Sequence, residues 1–306
     1  MTAATRPGDA GEDYSIRVVR QAVVETTSDF VGGCLRHSNQ GMLDIPIVFT
    51  LVSLARDGAV QHHVVDCGVG AGPRTGGRPP PRSWISPGRF LTEVGIAPAD
   101  VQWLLLTHLH KDHSGNLADL PHATVGVQRA EYDGWTDVLG LPASYLPLGE
   151  ASWAHRAISP DTLHHLREGL RGERTVLLDG DYEITPGLAV RLARDSHTFG
   201  SQLVTVDTPE GVYVVGGDNV FAYSNLTEMW PSGAGQGNQF HVLEVLAWVN
   251  DTVGGDHRRV VPGHDMAVFA PATTVWVGDT AVAEVRIGSW DRSWGGDRAG
   301  TPGGMG

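Results

Sequence analysis

Residues 107–113 read Thr107-His108-Leu109-His110-Lys111-Asp112-His113 and follow directly on the apolar run 101–106. Three histidines and an aspartate fall within six residues of this stretch. The pattern predicts a buried strand that ends in a loop of metal ligands, where a helix begins. Imidazole nitrogen and carboxylate oxygen together suit zinc, with iron or manganese as alternatives.

The spacing within this stretch indicates two metal positions. Side chains of an extended chain alternate with period two, so His108 and His110 point the same way and can reach one ion. Asp112 and His113 follow where the chain turns, and can face a second ion close to the first. Two-metal hydrolytic sites have this arrangement.

Histidines outside the cluster receive a different interpretation. An isolated histidine is most often a surface or hydrogen-bonded residue, and a motif indicates function only in its structural context. The histidines interpreted in this way are His37, His62, His63, His122, His155, His164, His165, His241 and His257.

The composition limits the class of protein. The chain has 306 residues, of which 41% are hydrophobic and 19% charged, as expected of a globular protein with a large core. A formal net charge of -13 argues against a nucleic-acid or anionic-membrane partner. The two cysteines, Cys34 and Cys67, exclude a disulfide framework and favour a reducing compartment. Cys67 is expected to be buried.

The two ends of the chain are expected to lie outside the folded part. No secretory signal or membrane-spanning run is recognised, so a cytoplasmic location is expected. Residues 1–13 and the glycine-rich residues 293–306 are predicted to be flexible. Residues 14–292 are predicted to form a single domain.

Two sets of strands with helices between them are predicted from the apolar runs. The predicted strands are 14–25, 45–55, 60–66, 101–106 and 123–128, then 175–178, 188–194, 202–207, 212–215 and 259–261. The predicted helices are 86–94, 129–139 and 239–252, with a helical insertion near 151–172. Two sheets flanked by helices indicate an α/β class. The irregular stretch 28–44 is a candidate wall of a substrate pocket.

Three later candidate ligands also follow predicted strands. His197 comes after the strand 188–194, Asp218 after 212–215, and His264 after 259–261, each close to a glycine. Strand ends that carry side chains into one crevice are a common way to build a site. The sequence therefore predicts that these residues converge on the first cluster.

With these motifs the sequence resembles the metallo-β-lactamase superfamily. The His-x-His-x-Asp-His motif at 108–113 is followed by His197, Asp218 and His264 in that superfamily's order. The residues around the motifs, such as Gln128-Arg129-Ala130-Glu131-Tyr132, are most similar to the N-acyl homoserine lactonase branch. The resemblance runs from the first strand to His264.

The resemblance implies a four-layer αββα sandwich of two mixed sheets, with two Zn²⁺ ions at one edge. Two cations that share a carboxylate can hold a hydroxide between them at neutral pH. The implied ligands are His108, His110 and His197 for the first ion, Asp112, His113 and His264 for the second, and Asp218 for both.

The predicted catalytic residues are Asp112, Asp218 and Tyr223. Lactonases of this branch carry a tyrosine three residues after the bridging aspartate, where this chain has Phe221. In an extended segment Tyr223 would point to the same side as Phe221. Two hypotheses stay open, that Tyr223 donates a hydrogen bond to the substrate carbonyl or that it only packs.

Other residues near the motifs have two interpretations each. Asp66 is expected either to hydrogen-bond a ligand histidine or to cap a turn, and Asp195 is expected to act likewise beside His197. Asn219 is expected to contact the pocket or to serve the turn. The apolar segment 221–230 suits either a hydrophobic substrate group or core packing.

The favoured function is hydrolysis of a lactone or ester of a small, partly apolar substrate by a monomer or homodimer. Amide or cyclic-amide hydrolysis is the alternative, and it needs a better proton donor for the leaving nitrogen. A thioester hydrolase of the glyoxalase type is less favoured because no basic cluster for a glutathione carboxylate is seen. Iron-dependent redox chemistry is also less favoured, and the complete ligand set argues against a non-catalytic binding module.

Overall fold

The computed structural model describes residues 11–32, 41–72, 79–146, 152–233 and 235–295. Within these residues an eight-stranded and a five-stranded sheet pack face to face. The strands are β1 (Ser15–Thr27), β2 (Met42–Arg56), β3 (Ala59–Val65), β4 (Val101–Leu105), β5 (Thr124–Gln128), β6 (Thr175–Leu178), β7 (Tyr182–Thr185), β8 (Leu188–Arg194), β9 (Gly200–Thr208), β10 (Gly211–Gly217), β11 (Val260–Pro262), β12 (Thr274–Val277) and β13 (Thr280–Arg286).

Both sheets are mixed. The larger sheet has the order β12-β13-β1-β2-β3-β4-β5-β6, antiparallel as far as β3 and parallel from there to β6. The smaller sheet has the order β11-β10-β9-β8-β7, in which only β10 and β11 are parallel. Parallel neighbours end at the same edge, so β3, β4, β10 and β11 deliver their carboxyl ends to one side of the molecule.

Helices cover the outer faces of the two sheets. They are α1 (Ser28–Gly32), α2 (Pro87–Glu93), α3 (Arg129–Leu139), α4 (Trp153–Ala157), α5 (Pro160–Arg171), α6 (Tyr223–Glu228) and α7 (Gln239–Val253). Phe90 of α2 and Trp135 of α3 pack with Phe49 and Leu104 on the larger sheet. Leu246 of α7 packs on the smaller sheet. The predicted αββα order is therefore confirmed.

The core between the sheets is built from alternating strand residues. Val65 and Leu105 of the larger sheet meet Val190, Val204 and Val215 of the smaller one. Burying a side chain of this size stabilises the fold by about 1.5–3 kcal/mol. This apolar layer holds the strand ends in fixed relative positions.

Local signals explain two of the boundaries. β2 and β3 are joined by Asp57 and Gly58, both with positive φ (53° and 79°), which matches the twist of a two-residue hairpin turn. The predicted helix at Pro87 begins with Ser86 as its N-cap, whose hydroxyl accepts a hydrogen bond from the backbone N–H of Arg89.

The prediction that a helix begins at the end of the metal-ligand motif is wrong. Turns follow residue 110, and a short 3-10 helix, Leu117–Asp119, comes next. After one i to i-4 hydrogen bond, from Ser114 N to His110 O, the backbone bonds to another loop instead of continuing a helix. Cys67 N donates to His113 O at 2.7 Å, and Gly115 N donates to Gly68 O at 2.8 Å.

Three strands, β7, β12 and β13, were not among the sequence predictions. β12 and β13 form a hairpin, turning at Gly278 with φ 56°, that extends the larger sheet beside β1. The alternation of Thr274, Val275, Trp276 and Val277 before this glycine is the signal that indicates it.

His63 departs from the surface interpretation. It lies on β3 between Val52 and Trp103 of the neighbouring strands and is fully buried. Neither ring nitrogen has a hydrogen-bond partner in the part of the chain that the structure describes. Burial lowers the pKa of His63 to about 4.

Several expectations concern residues outside the described ranges. They include Cys34, His37, most of the segment before residue 14 and nearly all of the glycine-rich tail. Cys67 is buried as expected, and burial raises the pKa of its thiol. Among the described residues, no helix is long and apolar enough to cross a membrane.

Candidate metal centre

The candidate ligands lie together at the edge where the strands end. β4 leads to the motif at 108–113, the loop between β8 and β9 carries His197, and β10 and β11 lead to Asp218 and His264. The structure brings them into two groups, the first containing His108, His110, His197 and Asp218 and the second containing Asp112, His113 and His264.

In the first group the ring nitrogens face one another. His108 Nε2 lies 2.9 Å from His110 Nδ1, which lies 3.2 Å from His197 Nε2. Oδ2 of Asp218 is 3.4 Å from His197 Nε2 and 3.9 Å from His108 Nε2. Ligand atoms on a tetrahedral zinc are about 3.3 Å apart, so these separations fit one shared ion.

The second group uses the other oxygen of Asp218. Oδ1 lies 3.1 Å from the Nε2 atoms of both His113 and His264, which are 3.2 Å apart. Asp112 Oδ2 lies 3.7 Å from His264 Nε2. Each oxygen of Asp218 thus faces one group, as a bridging carboxylate requires.

Hydrogen bonds outside the cluster orient the rings of the second group. Nδ1 of His113 donates to Asp66 Oδ2 at 2.7 Å, and Nδ1 of His264 donates to Pro46 O at 2.9 Å. The proton on Nδ1 leaves the Nε2 lone pair facing the centre. The expected hydrogen bond from Asp66 to a ligand histidine is therefore confirmed. Asp66 also accepts from the backbone N–H and the hydroxyl of Thr107.

The charges of the centre suit a cation. Burial alone would raise the pKa of Asp218, but the neighbouring histidines hold it well below its usual value. Burial lowers the pKa of His197 to about 3 and that of His108 well below its usual value. Burial also acts to lower the pKa of His113, but Asp218 and Asp66 raise it well above its usual value. A bound cation competes with that proton for the same nitrogen.

Unpartnered polar atoms also fit metal ions. Asp218 Oδ1 is buried without a hydrogen-bond partner among the described residues, and it faces the second group. Such atoms cost free energy unless something binds them. In the first group three histidine nitrogens and a carboxylate oxygen, all from buried residues, lie within 4.8 Å of one another and are donors that zinc prefers. The residues present therefore fit a two-ion centre.

A family model described as the metallo-β-lactamase superfamily matches residues 48–264, more than half of the sequence. The chain belongs to the metallo-β-lactamase superfamily. The resemblance inferred from the motifs is confirmed, and the matched range ends on the last candidate ligand, His264.

Characterised relatives share parts of the sequence. An N-acyl homoserine lactonase of Bacillus cereus is 24% identical over 178 residues, which are 58% of this chain and 61% of that protein. The N-acyl homoserine lactonase AttM of Azorhizobium caulinodans is 50% identical over 40 residues, 13% of this chain and 15% of the relative. These alignments span less than two thirds of either relative's length.

The solved structures of the superfamily show the same fold. An N-acyl homoserine lactone hydrolase with N-hexanoyl-L-homoserine at its catalytic metal centre superposes with a TM-score of 0.63 at 19% sequence identity. The superposition covers 85% of this chain and 95% of that chain. At this level of identity the likeness extends to the fold alone.

A cavity of about 1030 Å³ opens onto the candidate metal centre at Asp112 and Asp218. Helices α4 and α5 of the predicted insertion form one side of it, with polar residues such as Arg156 and Asp161. Phe30 of α1 also lines the cavity, which confirms part of the stretch 28–44 as a pocket wall. The apolar lining includes Val24, Phe30, Ile45, Val69, Leu117 and Phe221.

Tyr223 does not reach this cavity. Its hydroxyl donates to Val260 O at 3.0 Å, and its ring packs in the core. The prediction that Phe221 and Tyr223 lie on an extended segment is wrong, because residues 218–220 form a 3-10 turn and Tyr223 begins α6. The structure favours the packing hypothesis. Phe221 lines the cavity instead, with its ring 4.5 Å from that of His264.

Two further expected roles are settled by contacts. The carboxylate of Asp195 lies 3.7 Å from His241 Nδ1, and among the described residues His197 Nδ1 has no hydrogen-bond partner, so the expected contact between Asp195 and His197 is wrong. The side chain of Asn219 fits neither expectation, since it does not line the cavity and instead joins the turn after β10 to the segment of His197: its Oδ1 accepts from His197 N at 3.3 Å and its Nδ2 donates to Ser201 Oγ.

Glu131 is a supporting residue whose role was missed. It is fully buried, and its Oε1 accepts from the backbone N–H of Leu109 and from Trp135 Nε1. Its Oε2 accepts from Thr198 Oγ1 at 2.7 Å and from Gly200 N at 2.8 Å. One carboxylate therefore joins the loop of His108 and His110 to the loop that follows His197. A glutamate at the start of a helix gives no local signal of this role.

Proposed function

We propose that this chain is a metal-dependent hydrolase that opens a lactone or ester of a small, partly apolar substrate. The main support for this proposal is the position of Asp218, which lines the cavity and whose two oxygens face two groups of candidate ligands. Asp112 borders the same cavity. The ligands that we assign are His108, His110, His197 and Asp218 to one zinc ion and Asp112, His113, His264 and Asp218 to the other.

When bound, two zinc ions supply a hydroxide at neutral pH and a Lewis acid for the carbonyl oxygen. The chain's own residues prepare the centre for that chemistry. Asp66 and the carbonyl of Pro46 fix the protons of two ligand rings, and the ionised Asp218 lowers the positive charge between the groups. We also assign Asp112 and Asp218 as the catalytic carboxylates, because both touch the cavity.

The cavity supports a substrate with two unlike ends. Phe30, Ile45 and Phe221 offer an apolar surface for an acyl or alkyl group. The carbonyl carbon then lies beside Asp112 and Asp218. Excluding water from the apolar side strengthens the electrostatic interactions at the metal centre.

A lactone or ester fits this cavity better than an amide. The leaving nitrogen of an amide needs a positioned acid, whereas a lactone alkoxide is a better leaving group. The names of the relatives make N-acyl homoserine lactones the first substrates to test.

The test combines metal analysis with a substrate panel. The purified protein is assayed for metal content and for hydrolysis of N-acyl homoserine lactones, aryl esters and amides, before and after chelation. We expect about two ions per chain and lactone opening that stops on chelation and returns with zinc. Amide cleavage without lactone opening would overturn the substrate class, and hydrolysis that survives complete removal of metal would overturn the mechanism.

A further inference from the structure

His110 is oriented differently from the other ligand histidines of the centre. His113 and His264 face the centre through Nε2. His110 faces His108 and His197 through Nδ1, so its Nε2 points outward. For Nδ1 to offer a lone pair to a cation, Nε2 must carry the ring's proton.

Gln236 supplies the acceptor for that proton. Its Oε1 lies 2.7 Å from His110 Nε2, although the two residues are 126 positions apart in the sequence. Of the two amide atoms only the oxygen can accept a hydrogen bond, and it is the atom that faces the ring. The contact therefore selects the tautomer of His110 whose free lone pair faces the first group.

The segment that carries Gln236 is fixed to the loop of another ligand. The backbone N–H of Gln236 donates to His197 O at 2.8 Å, and Asn238 N donates to Asp195 O at 2.9 Å. A Cβ on Gly237 would clash with the backbone carbonyl of Ser196, so the close approach requires glycine there. The loop that carries His197 thus holds the backbone of Gln236, from which the side-chain amide reaches His110.

Gln236 also lines the substrate cavity, together with Asp112 and Phe221. We propose that Gln236 is a positioning residue that fixes the tautomer of His110 and thereby the affinity of the first metal position. This inference rests on the proposed metal centre and adds to it a residue that belongs to neither ligand group. Outer hydrogen-bond partners of this kind change metal affinity by about 10–100-fold.

The test compares Gln236→Leu, which removes the acceptor, with Gln236→Glu, which keeps one. Gln239→Leu is the matched control, because Gln239 is exposed at the start of α7. Zinc affinity is measured by competition with a chelator. We expect Gln236→Leu to weaken the tighter of the two binding steps by about 10–100-fold and the other step little. Gln236→Glu and Gln239→Leu should bind like the parent.

A second readout needs neither activity nor metal. Nitrogen NMR of the histidine rings in the metal-stripped protein reports which ring nitrogen of His110 carries the proton. We expect the Nε2–H tautomer in the parent and in Gln236→Glu, and a mixture in Gln236→Leu. An unchanged tautomer and unchanged zinc affinity in Gln236→Leu would overturn the proposal, as would equal losses in the leucine and glutamate variants. Because the NMR readout does not depend on hydrolysis, a protein that opens no lactone still tests the role of Gln236.

Discussion

The two ligand groups differ in burial and in what supports them. His108, His110 and His197 are all buried, and the outer partners of the first two are neutral, the hydroxyl of Thr107 and the amide of Gln236. The second group includes Asp112, whose side chain is 37% exposed at the cavity. Its outer partners include a carboxylate, Asp66.

This asymmetry predicts different roles for the two positions. We expect a fully buried set of rings to hold an ion rigidly and to exchange it slowly. A position with two carboxylates nearby and one ligand at the cavity is open to solvent and to substrate. We therefore expect chelation to remove the ion of the second group first. Asp218 faces both groups, so we expect a substitution there to affect both metal positions.

The largest expected effect comes from Asp218→Asn. The amide offers one oxygen, so at most one group keeps its shared ligand, and neither keeps the negative charge. We expect lactone hydrolysis to fall by more than about 100-fold, beyond what loss of an outer partner causes. Metal analysis should show that less than two ions per chain remain after dialysis.

Asp195→Asn is the control for this change. Asp195 has φ 49°, a conformation that asparagine tolerates well, and its carboxylate contacts His241 outside the centre. The control should keep both ions and parental activity. If Asp218→Asn retained two ions and full activity, the assignment of a bridging carboxylate would be wrong.

Asp66→Asn should separate the two groups. Either orientation of the asparagine amide places its NH₂ against a donor, the ring N–H of His113 or the backbone N–H of Thr107. We expect the affinity for the second ion to fall by about 10–100-fold while the first ion stays bound. Zinc competition titrations measure the two steps.

The control for Asp66→Asn is Asp119→Asn. Asp119 accepts one backbone hydrogen bond, from Gly88 N at 3.0 Å, and an asparagine oxygen can replace it. Equal weakening of both binding steps in Asp66→Asn would contradict the separation of the two groups.

Glu131→Gln tests whether the first group depends on the fixed positions of its loops. The new NH₂ replaces an acceptor that serves two donors, for example Thr198 Oγ1 and Gly200 N. We expect the free energy of unfolding of the metal-stripped protein to fall by about 2 kcal/mol, measured by urea denaturation. Metal is removed because bound ions add their own stabilisation.

The exposed Glu244 on α7 provides the matched control, Glu244→Gln. It should leave the unfolding curve unchanged. A Glu131→Gln protein as stable as this control would show that the carboxylate does not stabilise the two loops.

The sequence was sufficient for the layers and for the convergence of the candidate ligands, because each candidate follows an apolar strand. His197, Asp218 and His264 are recognisable one at a time, and the order of strands and helices then requires them to meet. The supporting residues could not be found in this way. Gln236 and Glu131 act on partners 126 and 67 positions away, so nothing in their local sequence indicates the contact.

Tyr223 shows a second limit. The prediction that it faces the substrate assumed an extended segment, but the chain turns at Asp218 and enters a helix at Tyr223. Six residues are too few to distinguish these conformations by periodicity. The hairpin of β12 and β13 has alternation and a turn glycine, so it was predictable from the same rules.

His63 gives the smallest expected effect and provides a baseline for both groups, since it is a buried histidine with no ligand role. Both of its ring nitrogens lack partners among the described residues, so a leucine of similar size avoids the cost of burying them. We expect His63→Leu to raise the free energy of unfolding by about 1 kcal/mol at neutral pH. The exposed His122 supplies the control, His122→Leu, which should change little.

The same pair of proteins predicts a pH dependence with a defined sign. The pKa of His63 is about 4 in the folded chain and about 6.5 when unfolded, so the unfolded state takes up the proton first. The parent therefore loses stability relative to His63→Leu as the pH falls from about 6.5 to about 4. Urea denaturation of both metal-stripped proteins across this range measures the difference, in which the titration of the ligand histidines cancels. If the difference in the free energy of unfolding between the two proteins did not change with pH, His63 would have a hydrogen-bond partner in solution. The contrast with the partnered histidines of the metal centre would then be lost.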